Sequence, residues 1–315
     1  MKEQTVKLLR RTDLLAGVML ISSATSLVAA DKIVIGFSQC TMNHPWRVAQ
    51  TQVNKKYAEE HYPDVDLVIT DGQNQAQKQV ADVESLVARH VKVLMLSPLT
   101  EQALTPVAKE AIEAGIKVIT LDRKVNTPVT AHVGPLNLPI GKDAAKFIAD
   151  KIGDSGNILE IQGTAGASAT IDRHNGFREE LKQHPNIKVV ADQYCDFLRE
   201  PSVKFVEDAL QRFPTGQIKA IYAHNDEMAL GAIQALEAAG RLKEVVVVGI
   251  DGEEVAFKAV KDGKLAATFI YPYVAPEGIE LAYKLAKGES VPAVTILPTQ
   301  KVDSSNVDEF LGKGF

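Results

Sequence analysis

Short runs rich in β-branched residues alternate along this chain with longer segments whose apolar positions recur every three or four residues. The first pattern is that of buried strands, the second that of amphipathic helices. Ile33 to Ser38 predicts a strand, Gln39 to Pro45 a loop, and Trp46 to Glu60 a helix. Val65 to Thr70 predicts a second strand, and Val80, Val83, Leu86 and Val87 set a helical period within Ala76 to Arg89. A strand at Val91 to Leu96 and a helix at Glu101 to Ala114, with Gly115 as its C-terminal cap, come next. Strands at Lys117 to Leu121 and Thr130 to Val133 end the first half.

The pattern then repeats. Helices are predicted at Pro139 to Ile152, Asp172 to His184, Ser202 to Phe213, Asp226 to Ala239, Glu253 to Lys261 and Pro276 to Lys287. Strands are predicted at Asn157 to Gln162, Ile187 to Gln193, Ile218 to Tyr222, Val245 to Ile250 and Leu265 to Ile270. Strict alternation of strand and helix implies an α/β fold with largely parallel, doubly wound sheets. About ten strands is large for one open sheet. Two Rossmann-like lobes with a seam near Gly134 follow, and the late strand and helix around Leu265 to Lys287 are expected to cross back.

The first thirty residues have a different character. Lys2, Lys7, Arg10 and Arg11 precede an apolar run from Leu14 to Val28, and Val28-Ala29-Ala30 offers small residues for cleavage before Asp31. This is the order of a secretory signal peptide, residues 1–30, and it places the mature chain in the periplasm. The alternative is a retained anchor, but the run is short and broken by Ser22, Ser23, Thr25 and Ser26. Loss of residues 1–30 removes four bases and two acids and moves the formal charge from −5 to −7. A mildly acidic chain with scattered bases and no basic stripe offers nothing to nucleic acid. Export permits a disulfide between Cys40 and Cys195. Each follows a predicted strand in a different lobe, where a bridge would pin a cleft, so two free thiols are expected.

Candidate chemistry gathers at the strand ends. Val118 to Leu121 runs directly into Asp122-Arg123, where an open α/β sheet faces its ligand crevice. Such a pair is either a solvent-facing ion pair or a grip on hydroxyl groups, with the carboxylate accepting and the guanidinium donating. The other strand ends favour the second reading. Ser38, His44, Trp46 and Arg47 follow the first strand, and Asp71, Gln73 and Asn74 the second. Gln162 and then Asp172 and Arg173, Asp196, Phe197 and Arg199, Asn225 and Asp226, and Asp251 occupy equivalent places in the second half. So many acids, amides and guanidinium groups suit a small polar ligand in a cleft. A sugar fits, because every hydroxyl both donates and accepts. Trp46, the only tryptophan, and Phe197 suit stacking on sugar C–H faces or, equally, the core.

Other chemistries lack their residues. The chain has no G-x-x-x-x-G-K-[ST] loop, and Gly163-Thr164-Ala165-Gly166 lacks dinucleotide-site spacing. There is no G-x-S-x-G, no H-E-x-x-H and no C-x-x-C. His224 beside Asp226 could be drawn as a general base, but a structural histidine at a strand end is the simpler reading. No nucleophile, metal or cofactor is indicated, and the chain is not expected to be an enzyme.

Asp122-Arg123, Leu159-Glu160-Ile161-Gln162-Gly163, Ile171-Asp172-Arg173, the run Ala223 to Ala232 and Gly249-Ile250-Asp251-Gly252 together resemble the periplasmic sugar-binding proteins of bacterial ABC importers, type I. The ribose and galactofuranose branch is the nearer pattern, over essentially the whole mature chain. The resemblance implies two α/β lobes joined by a three-segment hinge and closing on one monosaccharide. The expected lobes are 31–134 with 272–300, and 135–271 with 301–315. The first would contribute Ser38, His44, Trp46, Arg47, Asn74, Asp122 and Arg123; the second Arg173, Phe197, Asn225, Asp251 and Tyr271. Trp46 and Phe197 would sandwich the sugar ring. Asp122, Asp251 and Asn225 would accept from hydroxyls, while Arg47, Arg123 and Arg173 would donate. Ribose-type members carry an aromatic pair where this chain has Trp46-Arg47, and an amide where Tyr271 stands. Both departures point from ribose toward a furanose-type or galactose-like sugar. The implied partners are an ABC permease in the inner membrane and a chemoreceptor, and the chain is expected to be monomeric. Rival readings are a polyol or autoinducer on the same fold, a sugar-responsive repressor, in which DNA-binding helices would stand where this chain has its signal-like segment, and a sugar-processing enzyme.

Overall fold

The computed structural model describes Met1 and residues 32–315; the proposed signal peptide lies outside the described residues. The first half contains β1 (Ile33–Gln39), α1 (Pro45–His61), β2 (Val65–Asp71), α2 (Ala76–Ala88), β3 (Val93–Ser97), α3 (Glu101–Glu113), β4 (Lys117–Leu121) and β5 (Ala131–Gly134). The second contains α4 (Asn137–Ile152), β6 (Gly156–Gln162), α5 (Ser168–Glu180), β7 (Ile187–Tyr194), α6 (Arg199–Arg212), β8 (Ile218–Ala223), α7 (Asp226–Ala238), β9 (Val246–Asp251), α8 (Glu254–Lys261) and β10 (Ala267–Ile270). Then follow α9 (Glu277–Ala286), β11 (Val294–Ile296) and β12 (Gln300–Asp303).

The strands form two six-stranded sheets, ordered β11-β5-β4-β3-β1-β2 and β12-β10-β9-β8-β6-β7. Every neighbouring pair is parallel except β10 with β12. The period-two alternation of strand side chains explains the layers. Ile33, Ile35, Phe37, Val93 and Met95 face the core under α1 and α9, while Leu94 and Leu96 face the core under α2 and α3. The second sheet is likewise covered on both faces, one by α6, α7 and α8 and the other by α4 and α5. Cys40 and Cys195 are buried free thiols in different cores.

The chain passes between the sheets three times: after β5, after β10 and between β11 and β12. One expectation is corrected here. The strand near residue 265 does not cross back; β10 stays beside β9 in the second sheet, and only α9 and β11 join the first. The apolar strand β10 has a matching buried place beside β9, whereas three-residue β11 and the polar β12 are edge strands with little hydrophobic signal. A second difference is α5, which starts at Ser168 rather than at Asp172. Among the described residues no helix is long and apolar enough to cross a membrane.

Helices α4 and α5 approach unusually closely because each presents a glycine to the other. A Cβ on Gly176 would stand 2.0 Å from the Leu138 carbonyl oxygen, and one on Gly141 would stand 2.2 Å from that of Arg173. Gly176→Ala must therefore push the helices apart. It is expected to cost about 1–3 kcal/mol, read as a lower urea midpoint; an unchanged midpoint would refute the tight contact.

Candidate ligand-binding site

In both sheets the strand order reverses once, between β1 and β3 and between β6 and β8. Loops leaving such a point diverge to opposite faces and open a crevice at the strand C-termini. The two crevices face each other. The loop after β1 and the first turn of α1 bring His44, Trp46 and Arg47, and the turn after β4 brings Asp122 and Arg123. From the second sheet come Ala169 and Arg173 on α5, Phe197 after β7, Asn225 before α7, Asp251 ending β9 and Tyr271 after β10. Together they line one tight space between the two sheets.

The backbone is strained to achieve this. Asp122, Phe197 and Asp251 have φ of 54°, 63° and 139°. Such conformations cost on the order of 1 kcal/mol or more each for residues with a side chain, and gather at functional sites. Phe197 also needs Gly163 beneath it, since a Cβ there would stand 2.0 Å from the ring.

The charges are organised in pairs. Arg47 forks onto Asp122 with Nη1 to Oδ1 at 2.8 Å and Nη2 to Oδ2 at 2.9 Å, and donates to Gln50 Oε1 at 3.1 Å. Ser97 Oγ donates to the same carboxylate at 3.2 Å. Arg123 donates to the Leu99 carbonyl at 3.1 Å, and its guanidinium lies 5.2 Å from the Phe197 centroid. Arg173 donates through Nε to Asn137 Oδ1 at 2.9 Å and through Nη1 to the His224 carbonyl, and stacks 4.5 Å over Tyr271. All five ionisable groups, the three guanidinium groups with Asp122 and Asp251, are at most 6% exposed. Burial drives the Asp251 carboxyl well above the usual carboxylate range, against the pull of Arg173. Burial, and then Arg47, Arg123 and Arg173, hold His44 neutral.

A further layer steadies the second sheet. Glu160, fully buried, accepts from His174 Nδ1 at 2.9 Å and Arg178 Nε at 2.8 Å, and lies 3.2 Å from His224 Nε2. Its network thus grips the residue whose carbonyl holds Arg173. Burial alone would raise this carboxyl; the bonds from His174 and His224, with the charge of Arg178, outweigh it and bring it down to about 2.

All the residues predicted from the sequence line the cavity except Ser38 and Asn74. Ser38 lies within β1, and its hydroxyl accepts from Gln79 Nε2 at 3.3 Å instead of reaching the crevice. Asn74 follows β2, an edge strand, and sits in a turn held to the Cys40 carbonyl. The stacking pair is also changed in detail. Trp46 is packed in the second lobe's core, with its indole Nε1 donating to the Tyr271 carbonyl at 3.0 Å and Arg47 4.8 Å over its ring. Asn225 spends its oxygen capping α7 through Met228 N and its amide on the Phe197 carbonyl. Ala169 was not expected, since a methyl group leaves no chemical signal, and Gln50, Ser97 and Asn137 act one layer behind.

Removing Asp122 would strand buried Arg47. Asp122→Ala is expected to destabilise the fold by about 3–5 kcal/mol, measured by denaturant unfolding; a loss below about 1 kcal/mol would show the pair to be dispensable. Glu160 gives a pH dependence. The unfolded chain binds that proton near 4.5 and the folded chain only near 2. Its stabilisation is therefore complete above about 4.5 and is lost as pH falls toward 2. Melting temperature from pH 5 to 2 should fall more steeply for the wild type than for Glu160→Gln.

Residues 35–290 match the model of a family described as Periplasmic binding protein domain. The chain is 37% identical over 282 residues to the ribose import binding protein of Escherichia coli (strain K12), covering 89% of this chain and 93% of that protein. It is 35% identical over 284 residues to the galactofuranose-binding protein of the same organism, with 86% and 87% covered. Among solved structures, the fructose binding periplasmic domain of a hybrid two component system matches with a TM-score of 0.85 at 33% identity, covering 89% of this chain and 94% of that one. With its doubly wound lobes and the cavity between them, the chain belongs to the periplasmic binding protein family.

Proposed function

We propose that this protein is an extracytoplasmic receptor that captures one monosaccharide between its lobes and delivers it to an ABC permease. The observation that carries this reading is the cavity itself, in which guanidinium groups, acids and aromatic rings from both sheets converge on one small polar space. Hydroxyl groups complement such a wall, because each can accept from a guanidinium and donate to a carboxylate at once. Among the lining residues, both ring nitrogens of His44 and the Nε atoms of Arg47 and Arg123 are buried without a hydrogen-bond partner in the protein. Leaving such groups unsatisfied is costly, about 1–3 kcal/mol apiece, so a polar ligand is favoured over an apolar one. The relatives are named for ribose and galactofuranose and the matching structure for fructose, all sugars able to close to a five-membered ring. A furanose-type or galactose-like sugar is therefore the ligand class we assign.

The mechanism is hinge closure. Among the described residues the lobes comprise 32–134 with 272–299, and 135–271 with 300–315, since Gln300 already belongs to β12 of the second sheet, and the three crossings between them form the hinge. Ligand contacts on both lobes favour the closed arrangement over the open one. Contacts across the cleft support this: Lys124 N donates to Ser168 Oγ at 2.8 Å, Glu101 N to the Gly166 carbonyl at 3.0 Å, and Trp46 to Tyr271. The closed surface is what the permease, and in signalling a chemoreceptor, would recognise. The receptor works as a monomer in the periplasm, after removal of residues 1–30.

Tryptophan fluorescence and calorimetry with ribose, arabinose, galactose, fructose and allose test the reading. Trp46 is the only tryptophan and spans the cleft, so one sugar should produce a saturable change. Arg173→Ala should weaken that sugar by about 1.5–3 kcal/mol, because it removes a buried charged donor from the cavity wall. No heat and no fluorescence change with any sugar would overturn the proposal in favour of a non-sugar ligand on the same fold.

A further inference from the structure

His44 borders two spaces. Inward it lines the cavity beside Arg47, Arg123 and Arg173. Outward it lines an open groove whose walls include Met42, Pro45, Val48 and Phe315, with Asn43 and Gln52 as the polar members. The ring is 7% exposed, and neither nitrogen has a partner in the protein. It stands at the N-cap position of α1 but makes no capping bond, so helix formation does not account for it. Across the cleft it meets the Phe197 ring, tilted, with centroids 6.2 Å apart. A first-lobe side chain thus closes against a second-lobe ring at the boundary between the cavity and the groove.

The chemistry of each side is distinct. A neutral imidazole offers one donor and one acceptor, the complement of a single hydroxyl. The groove behind it is mostly apolar and large enough for an alkoxy group or a second sugar ring. His44 is the one residue that lines both.

We propose that His44 is a specificity-determining partition: it meets one hydroxyl of the bound monosaccharide and bars any substituent on that hydroxyl from the outer groove. This rests on the sugar-receptor reading. It explains how a fold with a roomy groove at its mouth would accept a single sugar unit and reject glycosides and oligosaccharides.

The test is calorimetry of the full mature chain with the tightest-binding sugar of the panel and with its mono-O-methyl ethers, one for each hydroxyl. Wild type should reject all the ethers. His44→Ala should recover one of them by roughly tenfold or more, the effect of relieving a single steric group, while the others stay rejected. The free sugar should bind His44→Ala several-fold more weakly, through loss of one hydrogen bond. His44→Asn, which keeps a donor and an acceptor on a shorter side chain, should give the same selective rescue at lower amplitude and serves if the alanine variant does not fold. Rescue of no ether, equal rescue of all, or wild-type binding of every ether as tightly as the sugar would overturn the partition alone. A wild type that binds no sugar would overturn the receptor reading with it.

Discussion

Three guanidinium groups and two carboxylates removed from water in one small space constrain everything around them. Isolated, any one would carry a desolvation cost of several kcal/mol. The fork of Arg47 on Asp122, closed by Gln50 and Ser97, is the central solution. Arg123 is held by carbonyl oxygens of the loop after β3, and Arg173 by Asn137 and the His224 carbonyl. Each of these partners is fixed in turn by a strand end or a helix start. The site is thus polar through its depth, and its rigidity comes from bonds made behind the residues that line it.

The scaffold supplies this at low cost elsewhere. The central strands of both sheets are mostly apolar under helices on two faces, and the residues that line the cavity sit at or beyond the strand C-terminal ends. Part of the backbone strain falls at the same place: Asp122, Phe197 and Asp251 take left-handed or otherwise rare backbone conformations where the strands release the chain. A glycine under Phe197 and a glycine contact between α4 and α5 let bulky groups and whole helices come close. The stable layers thus tolerate a costly crevice at one edge.

The layered fold was legible because buried parallel strands leave unbroken apolar runs and their helices a clear period. Ten of the twelve expected site residues line the cavity, since strand ends in a doubly wound sheet must face the crevice. What stayed hidden has local causes. Strand β12, Gln-Lys-Val-Asp, is an edge strand with almost no hydrophobic signal, and β11 is three residues long. The first turn of α5, Ser-Ala-Thr-Ile, follows a glycine-rich stretch and reads as more loop. Ser38 and Asn74 have the right chemistry, but one is covered by Gln79 and the other hangs from an edge strand. Pairing is beyond pattern altogether: that Arg47 meets Asp122, 75 residues on, depends on two loops arriving at the same point.

The indole of Trp46 reaches across the cleft to a carbonyl, not to a side chain. Every residue at position 271 would present that same acceptor. The tyrosine side chain there lines the cavity, while its backbone serves the latch. The cavity wall and the bond across the cleft therefore draw on different atoms of one residue, and they can diverge separately. A lineage exchanging the side chain at 271 to follow a new nutrient would keep its closing bond throughout, which makes this position a natural place for related receptors to acquire new tastes.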